Sequence, residues 1–317
     1  MKNHLEKKIN LKNKILVAGG SGFLGSNLIK ALNLKQYDIT VLLKTRRTKF
    51  IKKEKIKYFV CNIKRKNNFK LIDKKFDYII NFSGNIDHKN KSETMNVHYF
   101  GLKNLLNHID KRYLKLFIQI GSSLEYGRKN SPQKENRKCK PISNYGKAKY
   151  LATNYVLKNI KKSIVLRLYQ VYGPGQKKDR LIPYVIENCL KNKTFNSSEG
   201  LQMRDFLYIK DAVCMTLWLT ENDDANGLFN LGNGKARTWL DLANAIFAAL
   251  NLSPNIRYIE MPEILREKYQ YFTEAVVTKL ESTGFPTTFF NLEDAVQDYV
   301  TNYLAPKRKL GEFLPST

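Results

Sequence analysis

Short apolar runs separated by longer amphipathic stretches recur through the first half of the chain. Lys14–Ala18 reads KILVA after a polar lead, and Asp38–Leu43, Lys57–Val60, Tyr78–Phe82, Leu116–Ile120 and Ser163–Leu168 repeat the pattern. Runs this short, bounded by polar residues or glycine, predict strands, most of them buried. Between them lie stretches with apolar positions three and four apart: FLGSNLIKALNL from Phe23, then Asn96–His108 and Tyr145–Lys158, with Trp239–Leu250 further on. That periodicity predicts helices packed by one face. Strands and helices in alternation predict βαβ units and a parallel α/β sheet covered on both faces. Past residue 172 the alternation weakens, and Pro174, Pro183, Pro254, Pro262 and Pro286 punctuate shorter elements.

The first predicted strand runs straight into Gly19-Gly20-Ser21-Gly22-Phe23-Leu24-Gly25, with glycines at 19, 22 and 25, and a helical pattern follows at once. Strand, glycine turn and helix in that order form a dinucleotide cradle. Without Cβ atoms the backbone can approach a pyrophosphate, and the helix N-terminus offers free N–H groups and a favourable dipole. The expected fold is therefore a Rossmann-type, doubly wound sheet. Its expected parts are a basic extension over 1–13, an NAD(P)-binding domain over 14–172 and a smaller substrate lobe over 173–317, with segments at about 204–250 returning to the first domain. At the end of the second strand an acidic residue would bind the ribose 2′-OH of NAD. The chain has Leu43-Lys44-Thr45-Arg46-Arg47 there. Arginine pairs well with phosphate, so Arg46 and Arg47 predict NADP. Read instead as two more basic residues in a basic segment, they leave NAD open.

Tyr145-Gly-Lys-Ala-Lys149 places a tyrosine and a lysine on one helix face. A phenol of pKa about 10 is a poor base at neutral pH, and a nearby ammonium favours its ionised form. Such a pair can move the proton of a sugar hydroxyl while hydride moves to or from a nicotinamide. Upstream, the strand Leu116–Ile120 leads into Gly121-Ser122-Ser123-Leu124-Glu125-Tyr126-Gly127, whose hydroxyls can hydrogen-bond the same oxygen.

Composition changes this picture little. The net charge is +27, distributed as +32 over residues 1–198 and −5 over 199–317. Ala is also scarce in the first part, with four against ten in the second. The shift near residue 199 points to two parts of different history, by recombination or by construction. The charge suits either solvated surfaces coloured by composition or attraction of a polyanionic substrate. No interleaving of basic and aromatic residues of the kind that binds single strands stands out, so nucleic acid is not the expected partner. Cys61, Cys139, Cys189 and Cys214 match no metal or disulfide spacing, and no metal is expected. The start MKNHLEKKINLKN has no apolar leader and no run of about 18 apolar residues occurs, so the expectation is a cytoplasmic protein with no membrane partner.

Together, Gly19–Gly25, DYIINFSG (Asp77–Gly84), MNVHYFGLKNLL with Asn96, SSLEYG, YGKAK and VYGPGQ (Val171–Gln176) resemble the extended short-chain dehydrogenase/reductases, the NAD-dependent epimerase/dehydratase family. The resemblance covers nearly the whole chain from about residue 14. It implies Ser122 as the catalytic hydroxyl with Ser123 as a helper, Tyr145 as acid/base, and Lys149 lowering its pKa and holding the nicotinamide ribose. Phe23, Leu24, Phe82, Ser83, Gly84 and Asn96 would line the cofactor. Asn62-Ile63 stands where the family usually has Asp-Ile beside the adenine, and the Asn weakens that contact. The final third, with MRDFLYIKDAV, GLFNLGNGKARTW and KYQYFTEAVVTKLESTGF, is similar to ADP-glycero-manno-heptose 6-epimerases. That match implies Arg204 and Tyr269 as contacts to the nucleotide diphosphate or the sugar. Arg204 paired with Asp205 or Asp211, and Tyr269 in the core, are the alternatives.

The first two-thirds is closer to reductases and epimerases of nucleotide 4-keto-6-deoxyhexoses. Those epimerases have Asn before VYGP, where this chain has Gln170, and a second acid/base lysine for which Lys178 is the nearest residue, one that aligns only with a gap. The leading expectation is a nucleotide-sugar epimerase acting on a nucleotide-diphosphate sugar with NADP or NAD, in carbohydrate metabolism directed to cell-surface polysaccharide. An NADPH-dependent 4-ketosugar reductase and a non-catalytic nucleotide or nucleic-acid binder are the alternatives. Relatives of this kind imply a homo-oligomer.

Overall fold

The computed structural model describes residues 12–45, 55–85, 90–128, 130–177, 179–190, 195–197, 202–258, 271–286 and 289–304. Six strands follow the apolar runs: β1 (Asn13–Ala18), β2 (Tyr37–Leu43), β3 (Lys57–Val60), β4 (Tyr78–Asn81), β5 (Leu116–Ser122) and β6 (Ser163–Leu168). Beyond them come β7 (Gln170–Tyr172), β8 (Phe195–Ser197), β9 (Met203–Tyr208), β10 (Gly227–Leu231), β11 (Ala236–Thr238), β12 (Ile256–Tyr258) and β13 (Phe272–Thr273).

The main sheet is seven-stranded and parallel, ordered β10-β6-β5-β4-β1-β2-β3. The order reverses between β1 and β4. In open α/β sheets that reversal opens a crevice at the carboxyl ends of the strands, where ligands bind. β5 and β6 are buried along their whole length, as expected of strands covered on both faces. Helices α1 (Phe23–Ala31), α2 (Lys91–Met95), α3 (Gly101–His108), α4 (Asn144–Asn159), α5 (Leu181–Leu190), α6 (Ile209–Glu221), α7 (Trp239–Ala249), α8 (Thr278–Glu281) and α9 (Leu292–Tyr299) complete the described regular structure, apart from short turns. α1 and α6 pack together on one side of the sheet, and α2, α3 and α4 lie together elsewhere.

Asn96–Phe100 is a π turn joining α2 to α3, within the stretch expected to be one regular helix. Such turns insert a residue and re-aim side chains, often beside functional sites. Of the later segments, β10 is the seventh strand of the main sheet, whereas β9 pairs with β7, β11 and β13 in a second sheet. That sheet and helices α5, α7 and α9 share a separate core containing Tyr172, Ile186, Phe206, Trp239, Ile246 and Tyr299. Phe23 and Leu24, in the first turn of α1, pack against this second core, so the start of the glycine-loop helix touches both bodies. Among the described residues, no helix is long and apolar enough to cross a membrane.

Candidate active site

Gly19, at the end of β1, has φ +77°, a conformation that costs any other residue strain. A Cβ there would lie 2.7 Å from Ser83 N and 2.8 Å from Phe82 C, so only glycine lets β1 and β4 approach at the switch point. A Cβ on Gly25 would lie 2.5 Å from Gly19 O, which closes the turn. Gly22 caps α1 with no side-chain hydrogen bond, and the first turn carries no acidic residue. Helix N–H groups without a side-chain cap, beside exposed glycine, fit the pyrophosphate of a dinucleotide.

A chain of contacts runs from this loop to the tyrosine. Phe82, Ser83 and Gly84 continue from β4. A Cβ on Gly84 would meet His98 Cε1 at 2.9 Å. The His98 ring, in the π turn, stands edge-on to Tyr145 with centroids 5.1 Å apart. Tyr145 opens α4, whose N-cap Ser143 accepts a hydrogen bond from Gly146 N at 3.0 Å. Ser122 hydrogen-bonds to the Tyr145 phenol. The Ser122 oxygen also accepts from Leu124 N at 3.2 Å. Ser123 begins the turn after β5, and its carbonyl accepts from Tyr126 N at 3.1 Å. Lys149 is 3% exposed, lies 5.7 Å from the centroid of the Tyr145 ring and donates to Ile120 O at 2.8 Å. Tyr145, Ser122 and Lys149 thus meet at the carboxyl end of β5.

The electrostatics differ from the simple expectation that Lys149 lowers the Tyr145 pKa. Burial pushes Tyr145 up to about 12, reinforced by the Glu125 carboxylate and opposed by the Ser122 hydrogen bond and the Arg180 charge. Burial also pulls Lys149 down to about 8, opposed by Glu125. The phenol is therefore held as a neutral acid in this arrangement.

Residues around the rim take varied positions. Asn62 Oδ1 accepts from Lys64 N at 3.2 Å, and Ile63 is buried with its carbonyl accepting from Asn104 Nδ2 at 2.9 Å. Asn96 is exposed and donates to Ser92 Oγ at 3.4 Å. Gln170 begins β7 opposite Phe206, which puts it one strand from the segment carrying Arg204. Arg204 donates to the carbonyls of Met203 and Tyr271, at 2.8 and 3.4 Å. Its possible partner Asp205 instead accepts from the backbone N–H groups of Asn233, Gly234 and Ala275, and Asp211 accepts from Phe290 N. Arg46, Arg47, Lys178 and Tyr269 lie outside the described residues. Sequence reasoning missed His98, Glu125, Thr153 and Arg167, which surround Tyr145 and Ser122 or stand one contact behind them.

A family model described as the NAD dependent epimerase/dehydratase family matches residues 15–232. The chain belongs to that family. Among curated relatives, this family member is 32% identical to the ADP-L-glycero-D-manno-heptose-6-epimerase of Fusobacterium nucleatum subsp. nucleatum, over 92% of this chain and 98% of that protein. It is 41% identical to the enzyme of the same name from Nitratidesulfovibrio vulgaris, but over 53% of this chain and only 56% of that relative's length. A solved structure of the Helicobacter pylori ADP-L-glycero-D-manno-heptose-6-epimerase superposes with a TM-score of 0.81 at 23% identity, covering 93% of this chain and 97% of that one. The last likeness establishes the fold.

Proposed function

We propose that this family member is a nucleotide-sugar epimerase that inverts a carbon of an ADP-linked glycero-manno-heptose with a tightly held NADP or NAD. The observation that carries the reading is the meeting of Tyr145, Ser122 and Lys149 at the carboxyl end of β5, linked through His98 and the Phe82–Gly84 segment to a glycine loop suited to a dinucleotide. The names of the relatives and the MRDFLYIKDAV segment around Arg204 support the choice of sugar. A nicotinamide dinucleotide held by Gly19, Gly22, Gly25 and Lys149 would supply reversible hydride acceptance at the reacting carbon.

The side chains handle the proton and the orientation. Tyr145 Oη exchanges a proton with the sugar oxygen at the reacting carbon: its ionised form accepts the proton as the hydroxyl becomes a carbonyl, and the phenol so formed returns it when the hydroxyl is restored. The Ser122 hydroxyl hydrogen-bonds the same oxygen and fixes its distance from the phenol. Lys149 Nζ, anchored on Ile120 O, holds the ribose next to the nicotinamide. Gly19, Gly22 and Gly25 with Phe23 and Leu24 receive the pyrophosphate side, and Phe82, Ser83 and Gly84 line the middle. Gln170, Lys178, Arg204 and Tyr269 are assigned to the sugar nucleotide in this proposal, and Arg46 and Arg47 to a preference for NADP over NAD. Exposed Phe100 and Leu151, on helical segments that pack together, suit a homo-oligomer.

Absorbance at 340 nm during turnover tests the reaction type. An epimerase forms product with no net NADPH oxidation. One NADPH consumed per sugar would overturn the reading in favour of a 4-ketosugar reductase.

A further inference from the structure

Glu125 is fully buried, yet it is a carboxylate in a protein with little acidic charge in this half. Burying an ion is costly unless it is paired and hydrogen-bonded, so its partners define what it is for. Oε1 accepts from Ser122 N at 2.8 Å and from Thr153 Oγ1 at 3.1 Å, and Oε2 accepts from Arg167 Nε at 2.9 Å. These three partners belong to the three elements that build the site. Ser122 ends β5. Thr153 lies on α4, two turns beyond Tyr145 and one beyond Lys149. Arg167 lies on β6, three residues before Gln170.

The Ser122 contact is reciprocal. Glu125 closes a capping box with Ser122, whose oxygen is already accepting from the backbone of the same turn. An oxygen that accepts there is left to donate its hydrogen elsewhere, and Tyr145 is its partner. A Cβ on Gly121 would lie 2.7 Å from Glu125 Oε1, so the glycine before Ser122 makes room for the carboxylate to fold back under the strand. The opposing cation is held in turn: Arg167 lies over the Tyr126 ring at 4.4 Å, and its Nη1 is buried with no hydrogen-bond partner among the described residues. Arg167 therefore meets Glu125 through one nitrogen only.

Resting on the epimerase reading above, we infer that Glu125 is the positioning residue of this site: it aims the Ser122 hydroxyl at Tyr145, and its negative charge keeps the phenol protonated and the Lys149 amine charged between turnovers. The charged and titratable groups facing Tyr145 are Lys149 on its own helix, His98 from the π turn, Glu125 behind Ser122 and Arg180 before α5. Glu125 is the anion among them. Removing its charge leaves cations around the phenol, so ionisation of Tyr145 becomes easier.

The test is the pH profile of kcat for the full-length, cofactor-loaded enzyme and for Glu125→Gln and Glu125→Asp. In Glu125→Gln the limb on which activity rises with pH moves to lower pH by about one unit, the size of a neighbouring-charge effect, while KM stays close to wild type. Glu125→Asp, which keeps the charge on a shorter arm, retains the wild-type midpoint with a lower kcat. A Glu125→Gln profile that is lower at every pH but keeps its midpoint overturns the proposal and leaves Glu125 a purely structural ion. If Glu125→Gln does not fold, Glu125→Gln with Arg167→Met removes both buried charges and is read by the same shift. Failure of both to fold also assigns Glu125 to structure alone. A wild-type enzyme with no epimerisation at any pH would instead defeat the reaction proposed above, so the two failures are distinct.

Discussion

At the residue scale, burial acts on a phenol and an amine in opposite senses. It raises Tyr145 to about 12 and lowers Lys149 to about 8, so each is driven toward its neutral form. Tyr145→Phe removes the proposed proton carrier without changing the ring that meets His98. Steady-state kinetics should show kcat down by about 10²–10⁴-fold, the usual worth of a positioned acid/base, with KM little changed. Lys149 makes a separate prediction about stability. Between pH 8 and its unfolded value of 10.5, the unfolded chain binds the proton and the folded chain does not. Stability therefore rises with pH across that window. The full penalty of the buried ammonium is present below pH 8 and is gone above the unfolded value. Denaturant unfolding at pH 7 and pH 10 should show wild type gaining on Lys149→Met by up to about 3 kcal/mol. Parallel pH dependence of the two proteins would contradict the burial of that charge.

At the element scale, the glycine loop is where backbone geometry would decide the proposed cofactor binding. Gly19→Ala forces a Cβ into φ +77° and against Ser83 N. Such strain costs about 1–3 kcal/mol, and it falls on the loop proposed to approach the cofactor. The expected result is a lower unfolding midpoint and loss of nucleotide released on denaturation. This loop was legible in the sequence because glycine spacing, strand and helix stand next to one another there. The six N-terminal strands were legible for a related reason: each is a short apolar run, and little else in a parallel sheet reads that way. The π turn was not, since Asn96–His108 has ordinary helical periodicity and nothing in a 3.6-residue pattern announces one inserted residue. The Glu125–Arg167 pair was hidden because a charge is read by default as surface. Two signals were nonetheless available. Ser122 and Glu125 have capping-box spacing. Arg167 is the lone charge in SIVLRL, a strand buried along its whole length. The second sheet was harder still, because β7, β9, β11 and β13 are two to six residues long and pair across wide gaps in sequence.

At the scale of the whole molecule, residues 1–198, which carry Tyr145 and the glycine loop, have a net charge of +32, and the remainder is net negative. A nucleotide-diphosphate sugar is an anion, and a positive field raises its local concentration. Raising ionic strength from about 0.01 M to 0.5 M shortens the Debye length from about 30 Å to less than 8 Å, so KM for the sugar nucleotide should rise several-fold while kcat holds. An unchanged KM would make the charge a matter of composition alone. The two cores are joined by the first turn of α1, through Phe23 and Leu24, so the lobe proposed to read the sugar is mounted on the helix proposed to face the cofactor. On that proposal, catalysis depends on both cores at once. The most direct measurement is proton NMR of purified protein incubated with ADP-D-glycero-manno-heptose and no added cofactor. Appearance of the C6 epimer is the predicted result, because a retained cofactor returns its hydride to the same sugar. An unchanged spectrum from folded, nucleotide-loaded protein would contradict the assignment of this sugar to this site.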